Sequence, residues 1–188
     1  VKEYLKEENN YTEKFFKDTK RLQNKLFTEI KSKIKLSDKS VQYKDKRYSY
    51  WTKTTVSGNY TKYLRKKHNT KINEVYWDGD KEKNKYNTSY FGIGDLSVSY
   101  DDKLLGYSLD LKGSEYYSIF LRNIKTEKKY DISIDNTNGN ILFSYNSKYF
   151  FYTKLDNNHR SKEIYLHEIY GKNKRDKLIY KEHVDRFT

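Results

Sequence analysis

Only a few short stretches of this 188-residue sequence combine side chains that could do chemistry. Gly113-Ser114 sets a hydroxyl beside a glycine. A nucleophile exposed on a strained strand-to-helix turn needs G-x-S-x-G, and neither residue 112 nor residue 116 is glycine. "HEIYG", residues 167–171, opens like the helical zinc motif, but Gly171 stands where the second imidazole ligand must sit. "DGDKEKNKYNTS", residues 78–89, places Asp78, Asp80 and Glu82 at alternate positions, as a calcium loop does. Lys83 replaces its turn-forming glycine there, and Ser89 its bidentate glutamate. "GIGD", residues 92–95, is not followed by a helical pattern and reads as the start of a strand rather than a phosphate loop. With no cysteine, thiolate ligands, cysteine nucleophiles and disulfides are excluded. Asp156, Asn158, His159 and Arg160 remain, in a polar turn between two apolar stretches. They are the candidates for a contact with substrate or with another domain, and a solvated turn is the alternative. No catalytic residue, cofactor site or metal site is assigned.

Composition narrows the class further. The formal net charge is +13, which raises nucleic-acid binding as a function. Such a site needs clustered charge, whereas the lysines here are spread through every segment; Lys, Asn, Tyr and Ile, all abundant, share A/T-rich codons. An aromatic content of 17% speaks for a packed core and against a disordered polyelectrolyte. No apolar run reaches the 18 or so residues of a membrane span, and "VKEYLKEENN" lacks the apolar heart of a signal peptide. We expect a cytoplasmic protein, and, since methionine is absent, a natural chain that starts before residue 1.

Two kinds of element position these residues. Over 3–36 the spacing predicts helix: Tyr11, Phe15, Leu22, Leu26, Ile30 and Ile34 recur mostly four apart on one face. Asn10 and Glu13 suggest a capping box there, with "EYLKEEN" as a short separate helix before it. From residue 41 onward the pattern is strand and turn, and it repeats. A shift of 45 residues, without a gap, places Leu96, Val98 and Ser99 on Ile141, Phe143 and Ser144. The same shift places Leu105 and Tyr107 on Phe150 and Tyr152, and Ile119, Leu121 and Ile124 on Ile164, Leu166 and Ile169. "YSYWTKT" (48–54) and "YLRKK" (63–67) form a weaker upstream copy. A period near 45 with four short strands per unit is the signature of propeller blades. The expected fold is mostly β with N-terminal α-helices: a helical segment over 1–38, then a partial β-propeller over 39–188. Its three or so four-stranded antiparallel blades fall at about 41–80, 90–135 and 139–186. A plain β-sandwich is the alternative.

The stretches "EYLKEENNYTE", "YSYWTKT", "DLSVSYDDKLLGYSLDLKGSEYYSIFLRNIKT", "NTNGNILFSYNSKYFFYTKLDNNHRSKEIYLHEI" and "LIYKEHVDRF" resemble, in this order, the N-terminal part of the oligopeptidase B (protease II) branch of the prolyl oligopeptidase family. One departure is Gln42, where the family tends to have proline after Val41. The resemblance implies N-terminal helices that pack on a C-terminal α/β-hydrolase domain, and a seven-bladed propeller that admits only short peptides. It also implies a serine peptidase cleaving after Lys or Arg with a Ser-His-Asp triad. None of the matched residues belongs to that triad, so the chain alone is expected to be inactive, with short basic peptides and a hydrolase domain as implied partners. Two other classes stay open: a stand-alone peptide- or protein-binding propeller module, and a basic nucleic-acid binder. The open ends of a three-blade arc, with residues such as Tyr63, Leu64, Ile164, Tyr165, Leu166 and Ile169, lead us to expect self-association.

Overall fold

The structure is a computed structural model that describes residues 1–171, 176–184 and 186. It divides into two compact units, Val1–Asp80 and Lys81–Thr188.

In the first unit, helix α1 (Lys2–Phe15) runs unbroken through Asn10, so the expected capping box and separate leading helix do not form. The break falls at Phe16, followed by a 3-10 turn over Lys17–Thr19 and helix α2 (Lys20–Ser32). The Thr19 hydroxyl bonds back to the Phe16 carbonyl at 2.8 Å instead of capping α2. Neither helix contains a buried residue. Leu22, Leu26, Phe27 and Ile30 are all exposed, so the apolar face does not fold back onto strands. Four antiparallel strands follow in the order β1 (Tyr43–Asp45), β2 (Tyr48–Lys53), β3 (Lys62–Lys67) and β4 (Glu74–Asp78). On β2, Tyr50 packs edge-on against Tyr76 of β4 at a centroid distance of 5.8 Å. Trp51, on the opposite face, is buried as Lys39 crosses its ring at 5.0 Å and Ser40 N–H bonds to the Thr52 carbonyl.

The second unit holds two further sets of four: β5 (Gly92–Val98), β6 (Leu104–Asp110), β7 (Tyr117–Asn123) and β8 (Lys129–Thr137), then β9 (Leu142–Phe143), β10 (Tyr149–Leu155), β11 (Ser161–Glu168) and β12 (Lys177–Lys181). Within each set neighbours pair antiparallel in chain order; a single pair, Lys154 opposite Thr137, joins the two sets. This is the blade pattern that the 45-residue period requires, and the architecture is that of a partial β-propeller preceded by helices.

The repeat reaches individual atoms. In the β5–β6 turn the Ser99 hydroxyl donates to Asp101 at 2.6 Å and accepts from Leu104 N–H at 2.9 Å. In the β9–β10 turn Ser144 donates to Asn146 at 2.8 Å and accepts from Tyr149 N–H at 3.1 Å. Asp102 and Ser147, one repeat apart, both adopt the left-handed conformation, with φ of 63° and 54°. Ile124 and Ile169 close the two repeats by donating to the carbonyls of Lys103 and Lys148.

The second and third blades bury a shared core of Leu104, Ile119, Leu121, Ile141, Phe143, Phe150, Tyr152 and Ile169. Ile169, expected on an outer face, therefore belongs to this core. Gly106 makes the close approach possible: a Cβ there would stand 3.0 Å from Ile141 and 3.2 Å from Phe143. Asp95 latches the blades by accepting Ile141 N–H at 3.0 Å. Burial pushes its carboxyl up from the ordinary value, against the hydrogen bonds from Ile141 and Leu96. A carboxyl whose folded pKa is raised loses stability as it ionises, so its contribution improves as pH falls through that raised value. Asn140 occupies the equivalent place one repeat on. Asp95→Asn should thus leave the melting temperature at neutral pH unchanged or raise it, and should flatten its acid-side pH dependence. A clear loss at neutral pH would contradict this reading of the latch.

Candidate functional site

The Asp156–Arg160 turn links β10 to β11 and holds itself together. Asp156 accepts the N–H of Asn158 at 2.8 Å and of Arg160 at 3.0 Å, and its other oxygen takes Arg160 Nε at 3.2 Å. The Arg160 N–H foremost holds the Asp156 carboxyl below its ordinary value. His159 takes a left-handed φ of 59°, and its ring lies 4.0 Å from that of Tyr116, whose hydroxyl donates to the Asp156 carbonyl at 2.8 Å. The structure brings all four candidates together, in a turn whose polar groups are largely occupied with one another. It contains no serine, threonine or cysteine.

The side chains of the other chemistry-bearing stretches also have partners within the chain. The Ser114 hydroxyl faces Asp110, whose carboxylate gathers the N–H groups of Lys112, Gly113 and Glu115 at 2.7–3.0 Å. Burial would raise the Asp110 carboxyl, but those N–H groups outweigh it and hold the value low. His167 sits on β11, not on a helix; its Nδ1 lies 2.7 Å from Asp176, which also accepts the Tyr152 hydroxyl. In the acidic stretch, Asp78 pairs with Lys62 at 2.6 Å and Asp80 accepts the N–H groups of Asn59 and Tyr60. Glu82, at the end of the short helix α3 (Gly79–Lys83), receives Arg122 at 2.6 Å and Lys85 at 2.8 Å. Sequence reading did not find the Glu82–Arg122 and Tyr152–Asp176–His167 groupings. Their members lie up to 40 residues apart, and no motif spacing links them.

Among the described residues, two exposed apolar surfaces are prominent. One is the stripe along α1 and α2. The other is the outer face of the third blade, a cleft of about 440 Å³ lined by Asn140, Leu142, Phe151, Tyr152, Thr153, Ile164 and Ile179. Among the described residues, the polar groups of the blades bond within their own turns and across to neighbouring ones, as Asp156 with Arg160, Tyr116 with Asp156 and Asp95 with Ile141.

The chain belongs to the prolyl oligopeptidase family: the description "prolyl oligopeptidase, N-terminal beta-propeller domain" fits residues 1–188. It is 27% identical over 199 residues to dipeptidyl aminopeptidase BI of Pseudoxanthomonas mexicana, covering 98% of this chain and 28% of that protein. It is 21% identical over 203 residues to Protease 2 of Moraxella lacunata, covering 100% of this chain and again 28% of the relative. Among solved structures it superposes on oligopeptidase B from Leishmania major with a TM-score of 0.84 at 22% identity. On oligopeptidase B from Trypanosoma brucei with covalently bound antipain the TM-score is 0.81 at 25% identity; each match covers 98% of this chain and 26% of the other. The chain thus spans little more than a quarter of the length of these relatives.

Proposed function

We propose that this chain is the N-terminal cap segment of an oligopeptidase B-type serine peptidase that cleaves short peptides after Lys or Arg. In this reading its blades form part of a propeller that restricts access to a Ser-His-Asp site on a separate α/β-hydrolase domain. The observation that carries the proposal is the match to the family's propeller domain along the whole of residues 1–188. The relatives called Protease 2 and oligopeptidase B support the choice of branch. The chain by itself performs no hydrolysis, and its partners are short basic peptides and the hydrolase domain. No helix among the described residues is long and apolar enough to cross a membrane, and the proposed setting is the cytoplasm.

The helical stripe gives the docking part of this reading a physical basis. Apolar side chains at i, i+4 and i+7 spacing, exposed along two successive helices, are what a helix keeps for a partner it must cover. Because α1 and α2 bury nothing, removing residues 1–36 should shift the melting temperature by no more than about 2 °C, the response to well under 1 kcal/mol in a chain of this size. Binding of an apolar dye should fall in parallel. A loss of 5 °C or more would mean that the helices already pack on the strands and are not free to dock.

A further inference from the structure

The last strand of the second blade has a wedge beside it. β8 pairs with β7 along one side. Among the described residues its other side meets a strand at one position, Thr137 opposite Lys154 of β10. Beyond that pair the two strands part, and a cleft of about 730 Å³ lies between them. Successive side chains of a strand point to opposite faces. Yet all seven residues 130–136 line this one cleft, so it runs along the edge of β8 and not over one of its faces. The opposite wall is the third blade, with Lys154 of β10 and His167 and Glu168 of β11. Both walls lie in the second unit. The charge of the cleft runs against that of the chain. The chain carries a formal +13, but the described lining holds Asp131, Asp135, Glu168 and Asp176 against one lysine, Lys154. Tyr130, Ile132 and Ile134 pack on the core, so Asp131 and Asp135 lie on the other face of β8, where both are exposed. Glu168 and Asp176 belong to the opposite wall. Carboxylates therefore flank the strand edge from both sides.

We propose that the β8 edge takes an extended peptide bearing lysine or arginine, as a fifth strand of the second blade. A strand edge offers a row of N–H and C=O groups, and main-chain bonds to them supply affinity whatever the peptide's sequence. The flanking carboxylates select basic side chains, which alternate between Asp131 and Asp135 on one face and Glu168 and Asp176 on the other. At about 3.3 Å per residue the edge spans roughly 20 Å, room for a peptide of about six residues. This deepens the reading of short basic peptides as partners and rests on it for the role of the ligand. The cap reading does not need this site and stands if the site fails.

Fluorescence anisotropy of a labelled hexalysine peptide, titrated with the 188-residue chain at low salt, tests it. The net charge of +13 opposes binding elsewhere on the chain, so saturable binding is the expected mark of this cleft. Two further peptides carry N-methyl groups on alternate amides, one in each phase. They keep the charge, but one of them loses the bonds to β8 and should not bind. Asp135→Asn with Glu168→Gln removes one exposed carboxylate from each wall. That variant should fold as the wild type does by circular dichroism. It should bind roughly fivefold more weakly, the effect of losing two exposed opposite-charge pairs. Glu3→Gln with Glu7→Gln changes the net charge equally on α1 and should leave binding unchanged. A wild-type chain without saturable binding overturns the proposal. Equal binding of both N-methylated peptides overturns strand addition, and equal weakening in the two double variants overturns the cleft as its place. Hydrolysis of a peptide by the chain, by contrast, would overturn the cap reading and leave this site standing.

Discussion

Replacing Glu82 by alanine should cost the fold about 3–5 kcal/mol, the usual result of leaving one partner of a buried ion pair behind. Glu82 and Arg122 have only 2% and 4% of their side chains exposed and meet at 2.6 Å. Lys85 reinforces the carboxylate at 2.8 Å, and the Arg122 guanidinium lies over the Tyr107 ring at 5.6 Å. Without Glu82 the guanidinium stays in a poorly solvated place without its carboxylate. The cost comes from the lost compensation of that buried charge and not from the worth of the pair. A Glu82→Leu, Arg122→Met double variant should therefore be less damaging than Glu82→Ala alone. Urea denaturation of the wild type and the two variants measures this. A Glu82→Ala chain within 1 kcal/mol of wild type would show that the pair is solvated or dispensable.

Truncating Tyr152 to alanine should be comparably severe, about 3–5 kcal/mol, the range for removing a large buried aromatic. The ring is 3% exposed in the core between the second and third blades and stacks on Tyr165 at 5.5 Å. Its hydroxyl donates to Asp176, and burial foremost pushes the phenol far above its ordinary value. Tyr152→Phe separates the two contributions: it keeps the packing and loses only the hydrogen bond, so most of the stability should return. An unchanged melting temperature in Tyr152→Ala would count against the blade register, because the 45-residue shift puts Tyr152 in the place of Tyr107, which is wholly buried.

The fold was legible because the blade period is written in both spacing and residue type. Ser99, Asp102 and Lys103 return as Ser144, Ser147 and Lys148, and each does the same work in its turn. The helix break was not legible. Asn10 and Glu13 fit a capping pattern, but continuing α1 through Asn10 satisfies more backbone than starting afresh there. Of the candidate site, the Asp156–Arg160 turn was legible as a polar stretch between two strands, whereas the contacts of Ser114 with Asp110 and of His167 with Asp176 were not. The buried ion pair escaped notice because Glu82 sits in a charged stretch that reads as surface. Only the folded chain sets it against Arg122, which follows the apolar run Ile119, Phe120 and Leu121 in β7.

The central claim, that these residues form a cap and perform no hydrolysis themselves, is tested most directly by one assay. The purified 188-residue chain is incubated with a fluorogenic peptide carrying arginine before the cleavable bond. Without an activated serine there is no acyl-enzyme route, so release of the fluorophore should equal the buffer blank at every chain concentration. Turnover that rises with chain concentration and is abolished by a serine-directed inhibitor would contradict the account.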